Sequence, residues 1–359
     1  MIGLITDTHI GARSSSSIFR EYMKWWYENS FFPVLKDNDV KYIVHAGDFF
    51  DARNAITLQD IDFVINWFAK QLIVYDIRFI VVLGNHDVAF KNSNRIHSLS
   101  ILKAAAPNHV TVIEEPRKMI IDNQDYVLVP WINNENYDST LKFLNDIENK
   151  KDVIVIGHFE INGMKMYKHS PLCEGGLDQS LFKEFKEVWS GHFHHRSKVG
   201  NIRYLGSLFH LNWEDYGDDR GFHIYDSDIN NLTFLENKDS LFLEFEFNYD
   251  ILKDVSDDEL KSWIEGRFIR LYVLTEYEKV HLLDTISRIN KCKPHNLQII
   301  NEFVLKQQSK SVDDDVIEDR ATKSTHDYII DYVKEKSTFV REYMDNLFKR
   351  AEEQKVVGE

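Results

Sequence analysis

The sequence predicts a layered α/β domain followed by a smaller second domain. Short apolar segments typical of buried strands recur through the first half of the chain, and stretches with helical periodicity lie between them. The pattern changes after Gly221, where strands and helices follow in a different order. A chain of 359 residues has room for about two domains.

The first domain is predicted from alternating strands and helices. The strand candidates are MIGLIT, VKYIVHAG, IRFIVVLG, DYVLVPW, DVIVIGH and EVWSGH. Between them, Phe19–Leu35 and Leu58–Leu72 repeat apolar residues at helical spacing. Alternation of this kind is typical of an α/β layered architecture.

A small α+β domain is predicted at residues 238–306. It begins with the alternating strand SLFLEFEF and continues with a helix that opens on a capping box, Ser256 with Glu259, and ends at Gly266. The strand RFIRLYVL, a helix over Val280–Ile289 and the strand LQIINEFVL follow.

The last segment reads as a linker and two helices. Residues 307–324 are polar, with five acidic residues between Asp313 and Asp319, and predict a flexible acidic linker. Residues 325–359 contain two apolar stripes at helical spacing. The stripes fit helices that dock back on the main body equally well as a helical segment that binds a partner protein.

Composition limits the class of protein. No stretch is long and apolar enough for a membrane helix, and the first apolar run meets Asp7 too early for a secretory signal. Cys173 and Cys292 lie far apart, which favours a reducing compartment, so we predict a cytoplasmic protein. The net charge of −15 argues against tight DNA binding by the chain alone, but bound cations would invert the local charge.

Polar residues that can bind metal follow five of the predicted strands. They are Asp7 and His9, Asp48 and Asp51, Asn85 with His86 and Asp87, His158, and His192 with His194. Parallel strands present their carboxyl ends at one edge of a sheet, so we expect these groups to converge. Residues at i and i+2 of an extended segment share a face, which would let Asp7 with His9, and His192 with His194, each hold a common centre while His195 points away.

Glycines precede several of these residues, at positions 47, 84, 157 and 191, and would permit sharp turns at the strand ends. The set combines carboxylates, imidazoles and an amide without a thiolate, which suits Mn²⁺, with Mg²⁺ or another divalent ion as alternatives. Seven candidate ligands are too many for one tetrahedral ion. They fit two ions that share a bridging carboxylate, the arrangement that cleaves phosphate esters.

The motifs DTH, GDFFD, GNHD, GH and GHFH resemble those of the calcineurin-like metallophosphoesterase superfamily. Within it, the chain is most similar to the Mre-type double-strand-break-repair nucleases, a group with bacterial SbcD and T-even phage members; RYLGSLFHLNWED and DRGFHIYD carry this second resemblance. The resemblance implies a two-sheet sandwich flanked by helices over residues 1–225, with residues 238–306 as a capping domain.

The resemblance also implies roles for individual residues. One ion would take Asp7, His9, bridging Asp48 and His194, and the other would take Asp48, Asn85, His158 and His192. His86 would be the catalytic histidine that orients or protonates the scissile phosphate, and Asp87 would hold its imidazole. Arg53, Asn54, Lys91 and Arg95 follow metal motifs and are candidate phosphate contacts, with a plain surface role as the alternative.

The implied activity is Mn²⁺-dependent 3′→5′ exonuclease action on duplex DNA and endonuclease action on single strands, in DNA recombination and repair. The implied partners are DNA, a separate SMC-like coiled-coil ATPase bound through residues 325–359, and a second copy of the chain paired around Ile96–Ala105. The alternatives are a phosphatase or cyclic-nucleotide phosphodiesterase on the same metal core, and a metal-free structural subunit. His45 is predicted to be a satisfied core histidine, and His169 and His210 are predicted to lie in solvated loops.

Overall fold

The computed structural model describes residues 1–303. The predicted linker at 307–324 and the predicted helical segment at 325–359 lie outside the described residues. The chain divides into two compact units. The larger unit consists of Met1–Glu244, Ser256–Ile269 and Ile289–Leu297, and the described part of the smaller one of Phe245–Val255, Arg270–Arg288 and residues 298–303.

The strands follow the apolar runs of the sequence. They are β1 Ile2–Ile5, β2 Tyr42–His45, β3 Arg78–Val82, β4 Val88–Phe90, β5 Ser93–His97, β6 Val110–Ile113, β7 Arg117–Ile121, β8 Gln124–Val129, β9 Ile154–His158, β10 Glu187–Gly191, β11 Ser197–Val199, β12 Ile202–Tyr204, β13 Gly221–Asp226, β14 Asn231–Glu236, β15 Phe242–Glu246, β16 Phe268–Val273 and β17 Asn296–Asn301.

Two six-stranded sheets form the body of the larger unit. The first has the order β14-β13-β1-β2-β3-β6, in which β1, β2, β3 and β6 are parallel and β13 runs antiparallel to both of its neighbours, β1 and β14. The second has the order β11-β12-β10-β9-β8-β7, in which β12, β10, β9 and β8 are parallel. Each sheet therefore has a parallel centre whose strand ends point to one edge.

The two sheets share one apolar layer. Ile2, Leu4, Val44, Ile80 and Val82 of the first sheet belong to the same buried cluster as Tyr126, Leu128, Ile154, Ile156 and Trp189 of the second. Alternate residues of these strands point to the outer faces, where helices and loops cover them. This arrangement is the helix-flanked two-sheet sandwich predicted in the sequence analysis, and the fold class is confirmed.

The helices are short, and both helices predicted in the first domain contain a wider turn. They are α1 Ala12–Ser15, α2 Ser17–Trp26, α3 Phe32–Asp37, α4 Leu58–Asp62, α5 Ala69–Val74, α6 Ser100–Ala105, α7 Tyr137–Asn145, α8 Tyr249–Leu252, α9 Asp257–Ile264 and α10 Lys279–Lys291. π-helical turns at Tyr27–Phe31 and Phe63–Phe68 join α2 to α3 and α4 to α5. The turns rotate extra aromatic residues, Tyr27, Phe31 and Phe68, into the core beside the first sheet.

The region after Gly221 contains both expected and unexpected elements. Ser256 caps α9 by accepting a hydrogen bond from the Glu259 amide, which confirms the helix start. Strands β15, β16 and β17 form a three-stranded sheet. Strand β14 extends the first large sheet beyond residue 225, where the first domain was predicted to end. The predicted pairing region Ile96–Ala105 covers the end of β5 and α6.

No helix in residues 1–303 is long and apolar enough to span a membrane.

Candidate metal centre

The seven predicted ligands lie at or just after the carboxyl ends of parallel strands. Asp7 and His9 follow β1, Asp48 follows β2, Asn85 follows β3, His158 ends β9, and His192 and His194 follow β10. Four of them, Asp7, His9, Asp48 and His192, have positive φ. Left-handed backbone at such residues costs about 1–3 kcal/mol each and is typical of functional sites.

One group of side chains brings together Asp7, His9 and His194. The Nε2 atoms of His9 and His194 lie 3.2 Å apart, and Asp7 Oδ1 lies 4.0 Å from His9 Nε2. Thr6 donates a hydrogen bond of 2.7 Å from its hydroxyl to Asp7 Oδ2 and fixes that carboxylate. These atoms surround a volume that a small cation can occupy.

A second group brings together Asp48, His158 and His192. Asp48 Oδ2 lies 3.3 Å from His158 Nε2 and 3.8 Å from His9 Nε2, so its carboxylate stands between the two groups. Asn85 Oδ1 lies 3.0 Å from both His158 Nε2 and His192 Nδ1. The structure therefore brings together all seven residues and places Asp48 where a bridging ligand would be.

His192 and His194 do not share one centre, contrary to the prediction from their i and i+2 spacing. His192 belongs to the group with Asp48 and His158, and His194 to the group with Asp7 and His9. The prediction assumed extended backbone, but His192 has φ +84°, which turns its side chain away from the alternation of a strand. His195 is turned away as expected, and its Nδ1 lies 2.9 Å from Asp218.

The charges of the centre are strongly coupled. Burial alone would lower the pKa of His9, but the carboxylates of Asp51, Asp48 and Asp7 outweigh burial and raise it to about 9. Burial would also lower the pKa of His158, but the neighbouring Asp48 carboxylate outweighs burial and raises this pKa to about 9. The same contacts hold the pKa of Asp48 well below its usual range, against the effect of its burial.

His192 behaves in the opposite way. Burial and the neighbouring His158 lower the pKa of His192 to about 3, so its imidazole is neutral and offers a lone pair. When no metal is bound, protons on His9 and His158 take the place that cations would have among the carboxylates. A set of imidazole, carboxylate and amide donors around buried anionic charge fits Mn²⁺ or a similar divalent ion.

Asp87 does not hold the imidazole of His86, and that prediction is corrected. The fully buried Asp87 carboxylate accepts backbone hydrogen bonds from Gly84 (2.8 Å), Asp48 (2.9 Å), Phe49 (3.0 Å) and Phe50 (3.1 Å). Four donors leave no lone pair for a neighbouring ring. Asp87 instead fixes the loop that carries Asp48.

His86 is oriented by the backbone of Asp51. Its Nδ1 contacts the backbone carbonyl of Asp51, and because a carbonyl only accepts, Nδ1 carries the proton. Its Nε2 is then the free nitrogen. The His86 amide donates to Asp48 Oδ1 at 2.8 Å, and its ring packs against that of His9 at 5.0 Å between centroids.

Asp51 has a role that the sequence did not assign. Its Oδ1 lies 3.1 Å from His9 Nδ1, on the far side of the ring from the ligand nitrogen. A carboxylate in this position fixes which nitrogen of a histidine faces a metal. The GDFFD spacing placed Asp51 near the site, but only the fold shows that it contacts His9.

Two glycines are required for contact as much as for turning. At Gly84, an added Cβ would lie 2.2 Å from the backbone nitrogen of Asp48. Gly47 has φ +97°, and its Cβ would lie 2.5 Å from His158 Nδ1. The prediction of turn-forming glycines therefore accounts for Gly47, whereas at Gly84 the reason is the close approach of the Asp48 loop.

A cavity of about 300 Å³ opens over the metal ligands. The lining of this cavity also includes Arg13, Tyr167 and Asn212. The predicted phosphate contacts do not line this cavity: Arg53 is half-buried, Asn54 and Lys91 are exposed, and exposed Arg95 forms an ion pair with Glu135. Their contact with DNA stays a prediction.

Three other histidines differ in burial and in their hydrogen-bond partners. His45 is buried, accepts a hydrogen bond from the Gly47 amide at Nδ1, and places Nε2 3.1 Å from the Thr8 hydroxyl, which confirms the core role. His169 is exposed, as predicted. His210 is buried and its Nε2 donates to the Asp218 carbonyl at 2.9 Å, so the prediction of a solvated loop was wrong for it.

Comparison with known proteins bears on this geometry. The family model described as "Calcineurin-like phosphoesterase" matches residues 1–196. The chain is 29% identical over 331 residues to "Exonuclease subunit 1" of Enterobacteria phage T4, which covers 91% of this chain and 90% of that protein. It is 25% identical over 326 residues to a subunit of the SbcCD nuclease of Staphylococcus epidermidis, covering 82% of this chain and 83% of that protein.

Proposed function

Because the chain belongs to the calcineurin-like phosphoesterase family, we propose that it is the nuclease subunit of an ATPase–nuclease complex and cleaves DNA with two bound divalent ions. The family resemblance, the fold class and the assignment as a dinuclear-metal phosphodiesterase, all made from the sequence, are confirmed.

The observation that carries the proposal is the position of Asp48 between two groups of ligands. Its Oδ2 lies 3.8 Å from His9 Nε2 and 3.3 Å from His158 Nε2. Two cations held side by side would share this carboxylate, polarise the oxygens of a phosphodiester and neutralise the charge that develops on them. The acidic chain gains in this way the local positive charge that a phosphate backbone requires.

The residues of the chain then have separate tasks. Asp7, His9 and His194 would hold one ion, Asn85, His158 and His192 the other, and Asp48 both. His86 keeps its Nδ1–H against the Asp51 carbonyl, so its Nε2 would first accept a proton from the attacking water and could then pass that proton to the oxygen that leaves phosphorus. Asp87 keeps the Asp48 loop in place through its four backbone hydrogen bonds.

Several details of the reaction rest on resemblance. The names of the phage T4 and Staphylococcus relatives contain the words exonuclease and nuclease, which supports DNA or RNA cleavage by this chain. We assign 3′→5′ exonuclease action on duplex DNA and endonuclease action on single strands, with Mn²⁺ as the preferred ion. Arg53, Asn54, Lys91 and Arg95 stay candidates for contact with the DNA backbone.

The partners are proposed on similar grounds. Both relatives are named as subunits, which supports a complex, and we assign an SMC-like coiled-coil ATPase as the other component. Residues 325–359 would bind that ATPase, and a second copy would pair around Ile96–Ala105 and form a homodimer. A role in DNA recombination and repair and a cytoplasmic location, in the host if the chain is phage-encoded, complete the proposal.

A direct assay tests this function against its alternative. Purified protein with Mn²⁺ is incubated with end-labelled duplex and single-stranded DNA and, in parallel, with p-nitrophenyl phosphate and a cyclic nucleotide. We expect DNA cleavage that is lost in an Asp48→Asn variant. Prompt turnover of the small phosphate esters with intact DNA would instead establish a phosphatase or cyclic-nucleotide phosphodiesterase.

A further inference from the structure

Asp215, Asp218 and Arg220 form a buried ionic cluster next to the segment that carries His194. The Arg220 side chain is fully buried, and its guanidinium contacts Asp215 Oδ1 at 2.8 Å and Asp218 Oδ2 at 2.9 Å. Asp215 is fully buried and Asp218 nearly so. An arginine placed between two carboxylates inside a protein contributes little net stability, so its presence calls for a different role.

The cluster contacts the segment that carries His194. Arg220 Nη1 donates a hydrogen bond of 2.7 Å to the His194 carbonyl oxygen, which ties the guanidinium to the backbone of this ligand. Asp215 Oδ2 accepts from the amides of Leu211 (2.8 Å) and Asn212 (3.2 Å). The other oxygen, Asp215 Oδ1, is therefore fixed in direction, and it lies 3.7 Å from His194 Nδ1.

The two nitrogens of the His194 ring therefore face different neighbours. Nδ1 faces the Asp215 carboxylate, and Nε2 faces His9 Nε2 at 3.2 Å. The separation of 3.7 Å between Nδ1 and Asp215 is longer than a hydrogen bond. A small rotation of the ring toward a cation at Nε2 would bring Nδ1 close enough to donate to Asp215. The carboxylate would then favour the tautomer that has its lone pair on Nε2.

His9 has the same arrangement on the opposite side of the site. Asp51 Oδ1 lies 3.1 Å from His9 Nδ1, so each of the two facing histidines has a carboxylate behind it. Asp215 and Arg220 lie beyond residue 196, the last residue matched by the family model. The contribution from Asp215 and Arg220 therefore comes from a part of the chain that the family match does not cover.

We propose that Asp215, held by Arg220, is a positioning residue that orients His194 for the ion bound by Asp7, His9 and His194. This inference rests on the proposed two-ion site but not on DNA cleavage. Asp215 does not touch substrate and acts only through the His194 ring. The segment 215–220 thereby becomes part of the metal site.

The test is a Mn²⁺ titration of the full chain by calorimetry, with Asp215→Asn as the variant. Asparagine has the same size and can still accept from Leu211 and Asn212 through its oxygen, but an uncharged NH2 group then replaces Oδ1 and can accept from neither His194 nor Arg220. We expect one of the two ions to bind about 10- to 100-fold more weakly while the other keeps its affinity. Asp219→Asn is the matched control, because Asp219 is exposed and contacts Arg196 instead.

Two outcomes of this titration overturn the proposal: unchanged affinity for both ions in a folded Asp215→Asn variant, or equal weakening of both. If the variant does not fold, a crystal structure of the wild-type protein with Mn²⁺ decides. It should show His194 Nε2 on the ion and Nδ1 within about 3.2 Å of Asp215; Nδ1 on the ion, or Asp215 turned away, contradicts the proposal. Because no arm measures cleavage, a protein that binds Mn²⁺ as described but leaves DNA intact would refute the nuclease function alone.

Discussion

The Nε2 atoms of His9 and His194 face each other at 3.2 Å, although 185 positions separate them in the chain. Two nitrogen lone pairs at this distance repel unless a proton or a cation lies between them. Without bound metal a proton meets this need, since nearby carboxylates raise the pKa of His9 to about 9 against the effect of its burial. In the metal-bound protein a divalent ion would replace it.

His86→Ala should retain metal binding and lose cleavage. The His86 ring packs beside that of His9 and lines the cavity over the centre, and the proposed ligand sets of both ions do not include it. We expect the rate of DNA cleavage with Mn²⁺ to fall about 10²- to 10⁴-fold, with unchanged Mn²⁺ affinity by calorimetry. His169→Ala, at an exposed histidine, is the control. Substantial DNA degradation by His86→Ala would remove His86 from this role.

Asp87→Asn should destabilise the protein and weaken Mn²⁺ binding together. In the wild-type protein, backbone N–H groups that include that of Asp48 donate to the Asp87 carboxylate. In the variant, the NH2 group of the asparagine would point toward some of these N–H groups and cannot accept from them. We expect the free energy of unfolding to fall by about 2–3 kcal/mol, measured by urea denaturation. Asp37→Asn, at an exposed helix end, should have little effect. Equal stability of the two variants would mean that the Asp48 loop is held by other contacts.

Binding of Mn²⁺ should release protons at neutral pH. Burial lowers the pKa of His9 and His158, but the carboxylates prevail and raise both from the ordinary 6.5 to about 9. In the metal-free protein, the raised pKa values of His9 and His158 stabilise the folded state. This stabilisation is fully present below pH 6.5, the ordinary pKa of histidine, and is lost as the pH rises through 9. Since a ligand imidazole must be neutral, Mn²⁺ affinity should increase with pH between 6.5 and 9.

Calorimetry at about pH 7 in buffers of different ionisation enthalpy measures this proton release directly. The apparent binding enthalpy should change with the buffer. An enthalpy independent of the buffer would show that His9 and His158 are already neutral before Mn²⁺ binds.

Removing residues 325–359 should separate cleavage from complex formation. The metal ligands all precede residue 195, so the shortened protein should degrade DNA with Mn²⁺ at the rate of the full chain. Binding to the SMC-like ATPase should be abolished, which a pull-down with the purified ATPase measures. If the shortened protein still captures the ATPase, the proposed docking segment is wrong.

The sequence could predict that the proposed ligands lie close together, because residues able to bind metal coincide with the ends of strands. Asp7, Asp48, Asn85 and His158 each lie at or just after the end of an apolar strand, and parallel strands deliver their ends to one edge. The role of Asp87 was predicted wrongly, because adjacency in GNHD suggests contact with His86. The fold instead brings the backbone of residues 48–50 against its carboxylate.

Other features had no local signal in the sequence. The contact between Asp215 and His194 joins two loops after different strands, and no spacing rule connects them. The π-helical turns at Tyr27–Phe31 and Phe63–Phe68 keep apolar spacing close to that of an α-helix, so periodicity alone does not distinguish them. Positive φ at His192 likewise accompanies a contact between distant segments, because the His192 amide donates to both oxygens of the Asp7 carboxylate at 3.1 Å.

We infer that distant loops of the chain hold two neighbouring cations with Asp48 between them. A crystal of the protein soaked in Mn²⁺ and measured by anomalous diffraction tests it most directly. We expect two manganese peaks about 3.5–4 Å apart, bridged by Asp48, with His9 and His194 on one ion and His158 and His192 on the other. A single peak, or two peaks without Asp48 between them, would contradict it.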